Sequence, residues 1–90
     1  MSIESMIEST PGICGGRPRL AGTRVPVHRI ARYHSLGYSP EEMLGLLNSL
    51  SLSQIYAALT YALVNPEEIQ EALRQEDETA GQLSAEHPLA

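Results

Sequence analysis

The sequence predicts a mainly α (α+β) domain, in which a short N-terminal β ribbon precedes a three-helix helix-turn-helix core and a fourth short helix. Three observations carry that reading. Turn-forming residues crowd the stretch from Met6 to Val27, where Pro11-Gly12, Gly15-Gly16, Pro18, Gly22 and Pro26 separate Ile7, Ile13, Leu20 and Val25; this is the texture of turns and short strands. Beyond Pro26, apolar residues recur at helical spacing. Ser39-Pro40-Glu41-Glu42, Ser51-Leu52-Ser53-Gln54 and Asn65-Pro66-Glu67-Glu68 then each place a capping residue three positions ahead of Glu or Gln, the reciprocal arrangement that satisfies two orphan backbone donors at a helix start.

The elements follow in order. Strands are expected near 5–9, 18–21 and 23–25, a ribbon too small to stand without helices behind it. Helix one is expected over 27–36, with Pro26 in its first position, Val27, Ile30, Ala31 and His34 inward, Arg29 and Arg32 on the other side, and Gly37 closing it. Helix two is expected over 40–48, with Met43, Leu46 and Leu47 inward. Helix three, over 52–64, is assigned Leu52, Ile55, Tyr56, Leu59, Ala62 and Leu63 as its inner face and Ser53, Gln54, Ala57, Ala58, Thr60 and Tyr61 as its outer face. Helix four, 66–78, carries only Ile69, Ala72 and Leu73 as an apolar stripe. Residues 1–78 make one domain and 79–90 a disordered tail. The short connection 48–51 between the second and third helices matches the outline of a helix-turn-helix.

Charge divides the chain. Residues 1–38 hold Arg17, Arg19, Arg24, Arg29 and Arg32 against Glu4 and Glu8, whereas residues 39–90 hold Arg74 alone against nine acids; the total is -5. A basic front with an acidic back suits two different partners. The sequence contains no apolar run of the roughly 20 residues a membrane span needs, and Met1–Thr10 lacks the pattern of a signal peptide. A cytoplasmic protein with no membrane partner is expected, and the single Cys14 agrees with a reducing compartment. A 90-residue chain buries a thin core, so self-association as a homodimer is expected too.

The run Gly16-Arg17-Pro18-Arg19-Leu20-Ala21-Gly22-Thr23-Arg24-Val25-Pro26-Val27 resembles the opening signature of the family catalogued as domain of unknown function 433. Gly37-Tyr38-Ser39-Pro40-Glu41-Glu42 and Leu50-Ser51-Leu52-Ser53-Gln54-Ile55-Tyr56-Ala57-Ala58-Leu59-Thr60-Tyr61-Ala62 are similar to its later blocks. The chain departs from the pattern at Asn48-Ser49, where members often carry Tyr-Pro. The resemblance implies a homeodomain-like helix-turn-helix fold and an antitoxin partnered with a small PIN-like ribonuclease, acting also on its own operator DNA.

The arginines are the leading site candidates, because a guanidinium binds phosphate or carboxylate bidentately. Arg17, Arg19, Arg24, Arg29 and Arg32 are expected to contact DNA or a partner, although Arg24 has a structural reading as well, bonding strand-turn carbonyls. Ser53, Gln54, Ala57, Ala58 and Tyr61 are expected to form either a recognition face or a protein interface. Their lack of any cation favours the interface. Glu67, Glu68 and Glu71 are assigned to a toxin-binding arm, against a plainer reading as a solvated face. No cofactor, metal site or catalytic set is expected: His28 and His34 do not share a helix face as zinc ligands do, and the glycines lack the Gly-Lys-Ser/Thr ending of a phosphate loop. His34 reads as a core histidine and Cys14 as a turn residue. The expectation is a non-enzymatic antitoxin-like protein; the alternatives are a stand-alone transcription regulator and a dimerisation or adaptor module.

Overall fold

The computed structural model describes residues 3–86. After a 3-10 turn over Ile3–Met6, strand β1 (Ile7–Glu8) pairs antiparallel with β2 (Arg19–Leu20), placing Ile7 opposite Leu20 and Glu8 opposite Arg19. Four helices follow: α1 (Val27–Ser35), α2 (Pro40–Leu46), α3 (Leu52–Val64) and α4 (Pro66–Glu86). The fold is mainly α with a small ribbon, as the sequence predicts. The third expected strand, 23–25, shrinks to a single bridge between Arg19 and Pro26. Gly22, at φ 75°, turns the chain tightly after β2, and the turn closes through the Leu20 amide to the Val25 carbonyl at 2.9 Å and the Thr23 amide to the Leu20 carbonyl at 3.1 Å.

Local chemistry explains the helix ends. Ser39 Oγ accepts from the Glu42 amide (3.2 Å) while Glu42 accepts from the Ser39 amide (2.9 Å), and Ser51 and Gln54 repeat the exchange at α3. The third expected box does not form. Asn65 instead caps the end of α3, its side chain donating to the Tyr61 carbonyl at 3.2 Å, and Glu68 accepts the Tyr61 hydroxyl. Pro26 precedes α1 in extended backbone rather than opening it. At the other end of α1, Gly37 takes φ 95°, its amide bonding the His34 carbonyl and that of Tyr38 bonding the Tyr33 carbonyl, both at 3.0 Å. The rings of Tyr33 and Tyr38 then meet edge to face at 5.5 Å, the apolar contact that accompanies this termination.

Leu20, Val27, Ile30, Met43, Leu50, Ile55, Ala58 and Ile69 form the core, drawn from the ribbon and all four helices. Of the two expected inner faces, Met43 and Leu47 on α2 and Ile55, Leu59 and Ala62 on α3 lie in or against the core, and the remaining residues do not. On α2, Leu46 is 50% exposed and Leu44 packs on the core in its place, because the helix ends at Leu46 and the chain turns at Leu47 to bring Leu50 inward. On α3, Ala57 and Ala58 are buried while Leu52, Tyr56 and Leu63 are exposed. Small side chains face the crowded side, where α1, α2 and β2 all pack on α3.

Helix α4 continues to Glu86, eight residues beyond its expected end at 78. The disordered tail expected over 79–90 therefore gives way to helix as far as Glu86, and residues 87–90 lie outside the described residues. No helix among the described residues is long and apolar enough to cross a membrane.

Replacing Ile55 by Ala is expected to lower stability by about 2–5 kcal/mol through lost burial and a residual cavity, whereas Leu46→Ala shifts it by no more than about 0.5 kcal/mol. Urea denaturation of both variants checks this; similar losses would contradict the observed face of α2.

Candidate functional site

The five N-terminal arginines meet different fates, and the differences define the candidate site. Arg19 alternates with its neighbours along β2, yet its side chain turns inward and is only 6% exposed. It pairs with Glu8 across the ribbon, donates to Thr10 Oγ1 at 2.9 Å and reaches the Thr23 carbonyl at 3.3 Å. Glu8 also accepts the Gly22 amide at 3.0 Å. That amide, with the Arg19 guanidinium beside it, holds the Glu8 carboxyl below the usual carboxylate range. The expectation that Arg19 contacts a partner is thus corrected: it is the structural arginine, the role the sequence reading offered to Arg24.

Arg17 and Arg32 are engaged by α4. Arg17 donates to Gln75 at 2.9 Å, and Arg32 to Asp77 at 2.6 Å and Glu76 at 3.5 Å. Between them His28, 3% exposed, places Nε2 2.9 Å from Glu76 and leaves Nδ1 buried without a partner among the described residues. Partial burial works against the charge on Glu76, but the hydrogen bond and charge of His28, with Arg32 behind it, outweigh burial and lower its pKa. Three successive residues of α4 thereby clasp α1 and the segment just before β2. The sequence reading missed this clasp, since His28 and Glu76 are far apart in the chain and only the fold joins them. It also inverted the histidines: His34, expected in the core, is exposed, and His28 is buried.

Arg24 and Arg29 remain. Both are exposed, and their guanidinium groups pair with no described residue. The Arg24 carbonyl accepts a weak bond from Cys14 Sγ at 3.4 Å, with Cys14 at φ 52° in the left-handed region. Cys14 is therefore a turn residue. Arg29 lies on the outer side of α1 as expected, but Arg32 does not share its freedom.

The expected recognition face of α3 is mostly occupied. Gln54 closes the capping box, Ala57 and Ala58 are buried, and the Tyr61 hydroxyl is bound by Glu68. That bond, with some burial, pushes the Tyr61 pKa up to about 12. Ser53 is exposed, its hydroxyl 2.9 Å from that of Ser51. Ala57 and Ala58 are thereby corrected from contact positions to core ones, while Gln54 and Tyr61 stay half-buried. In the expected toxin arm Glu68 serves Tyr61, Glu71 accepts from Arg74 Nε at 2.9 Å, and Glu67 alone is exposed without a described partner. Arg74, bracketed by Glu71 and Glu78, has its charge further stabilised.

Apolar surface gathers elsewhere. A groove of about 520 Å³ runs between α1, α3 and α4, with Tyr56, Leu59 and Leu63 along α3 and Leu73 on α4 among its walls. Among the described residues no group of three His, Cys, Asp or Glu is placed to hold a metal ion.

The run from β1 through α3 matches the model of the family described as "Protein of unknown function (DUF433)", over residues 7–62. The chain belongs to this family. A DUF433 member from Anabaena variabilis ATCC 29413, solved by crystallography at 2.00 Å, superposes with a TM-score of 0.70 at 35% identity, covering 77% of this chain and 68% of that one. The uncharacterized protein y4eO of Sinorhizobium fredii is 43% identical over 61 residues, 68% of this chain. The matched segment spans only 28% of that relative's length. The DUF433 segment contains Arg24, Arg29 and α3 as far as Ala62, whereas the clasp residues Gln75, Glu76 and Asp77 lie beyond it.

Two outcomes follow from this geometry. Arg19→Ala is expected to cost about 3 kcal/mol, as a buried donor network and its ion pair are lost, while Arg24→Ala stays within about 0.5 kcal/mol; equal urea midpoints would refute the structural role of Arg19. For Glu76, the folded pKa lies below the ordinary 4.5. Its contribution is therefore present above that value and disappears as pH falls through the lowered one. Glu76→Gln is expected to lose about 1 kcal/mol at neutral pH and to show a shallower acid decline in urea midpoint than the wild type.

Proposed function

We propose that this DUF433 protein is a non-enzymatic, antitoxin-like binding protein that presents Arg24 and Arg29 to the carboxylates of a small PIN-like ribonuclease. The observation that carries the reading is the selective freedom of these two guanidiniums. The other four arginines are each held by an internal acceptor, whereas Arg24 and Arg29 expose charges that no described carboxylate neutralises. Uncompensated guanidiniums on a rigid frame suit bidentate capture of carboxylates. The family resemblance supplies the partner class, and a cation entering an acidic nuclease centre would displace the metal or phosphate that such a centre holds.

Binding to operator DNA is the weaker part of the proposal. The exposed face of α3 carries no Arg or Lys, and two free arginines per chain offer few phosphate contacts within an acidic protein.

Expressing the chain with its neighbouring reading frame, and capturing a tag on this chain at about 150 mM salt, is expected to co-purify a small ribonuclease in equal amount. Recovery of the chain alone, when the neighbour is demonstrably expressed, would count against the antitoxin reading. The Arg24→Ala/Arg29→Ala double variant should weaken that complex at least about tenfold; a change within about twofold would reject these residues as the contact.

A further inference from the structure

We infer that α3 is the seam of a symmetric homodimer, in which the exposed apolar stripe Leu52, Tyr56, Leu59 and Leu63 packs antiparallel against the same stripe of a second copy. This goes beyond the proposed function and uses a different surface. It also moves self-association away from Ala57, Ala58 and Tyr61, which the fold buries or ties down.

The stripe is spaced 4, 3 and 4 residues apart, the apolar repeat by which one helix seats against another. In a single chain it has no cover: Leu63 is 81% exposed, Tyr56 51% and Leu52 36%. Leu59 lies between them, partly buried at the edge of the core. Isolated exposed apolar residues are ordinary, but a continuous row beside an open groove marks an interaction surface.

Two features select a second copy as the occupant. The first is symmetry. The 4-3-4 spacing reads the same in both directions, so a two-fold axis crossing α3 between Ala57 and Ala58 sets Leu52 against Leu63 of the second copy and Tyr56 against Leu59 of the second copy. An isologous interface requires this self-complementarity. Each Tyr56 then enters the groove that the other copy forms between α1, α3 and α4.

The second feature is charge. Two chains of net charge -5 repel, so a self-association surface must keep like charges apart. From Leu52 to Val64 the helix holds no Asp, Glu, Lys, Arg or His, and among the residues lining the groove His34 is the sole His, Asp, Glu, Lys or Arg. The surface gives a charged partner nothing to select and gives an identical copy nothing to repel. A small domain gains disproportionately from such added burial.

Sedimentation equilibrium on the full chain tests the inference. The wild type is expected at twice the chain mass at about 100 μM, with little change as salt rises, since no ion pair holds the seam. Leu63→Glu and Leu52→Lys should each weaken association about 100-fold or more, because each buries a charge in an apolar seam. Both side chains are exposed in the single chain, so circular dichroism and thermal midpoint at low concentration should match the wild type. The Leu52→Lys/Leu63→Glu double variant places opposite charges face to face across the two-fold axis and should recover dimer, now in a salt-sensitive form. A monomeric wild type at that concentration overturns the inference, as does a dimer indifferent to Leu63→Glu. Loss in both single variants without recovery in the double overturns the antiparallel pairing.

Discussion

Burial of one guanidinium organises the N-terminal third of the protein. A ribbon of two residues per strand has almost no ladder of its own, and two-stranded sheets of any length are marginal in water. Arg19 compensates by gathering Glu8 from β1, Thr10 from the following turn and the Thr23 carbonyl from the turn after β2 into one set of hydrogen bonds. That set fixes where Leu20 points, and Leu20, fully buried, is the ribbon's contribution to the core beneath α1 and α3. It also settles the entry to α1, because Val27 donates to the Pro18 carbonyl at 2.9 Å just upstream of Arg19. The exposure of Arg24 and Arg29 depends on the same frame: with Arg19 supplying the internal bonds, neither is needed inside.

The sequence revealed most clearly what local chemistry decides. Ser39 and Ser51 begin their helices as their capping boxes require, Gly37 ends α1, and the boundaries of α3 match those expected from 52 to 64. These signals act over three or four residues and need no tertiary context. The third box failed because Asn65 had two competing employers, and the end of α3 is only one residue from the start of α4. A cap that must serve both a helix end and a helix start can satisfy only one of them.

Long-range packing was less legible, and α3 shows why. Its helical spacing is real on two faces at once: large apolar residues at 52, 56, 59 and 63, and small or branched ones at 55, 57, 58 and 62. Hydrophobicity alone favours the larger set for the core. Volume decides otherwise, because a helix packed from several sides accepts alanine where leucine would clash. The same limit applies to the charged residues. Whether an arginine is free depends on which acid the fold delivers to it, and for Arg17 and Arg32 those partners arrive from α4, more than forty residues downstream.

The construction of α4 gives the molecule a graded stability. Its first turns are anchored by Ile69, Ala72 and Leu73, whereas the contacts from Gln75 to Asp77 are polar and partly open to water. Polar contacts at a solvent boundary open at far lower free energy than a packed core. The contacts of Gln75 to Asp77 therefore open at a lower free energy than the core, and α4 can part from α1 there while the ribbon and the first three helices stay folded. A protease cutting there would spare the whole DUF433 segment with Arg24 and Arg29, and the α3 stripe as well.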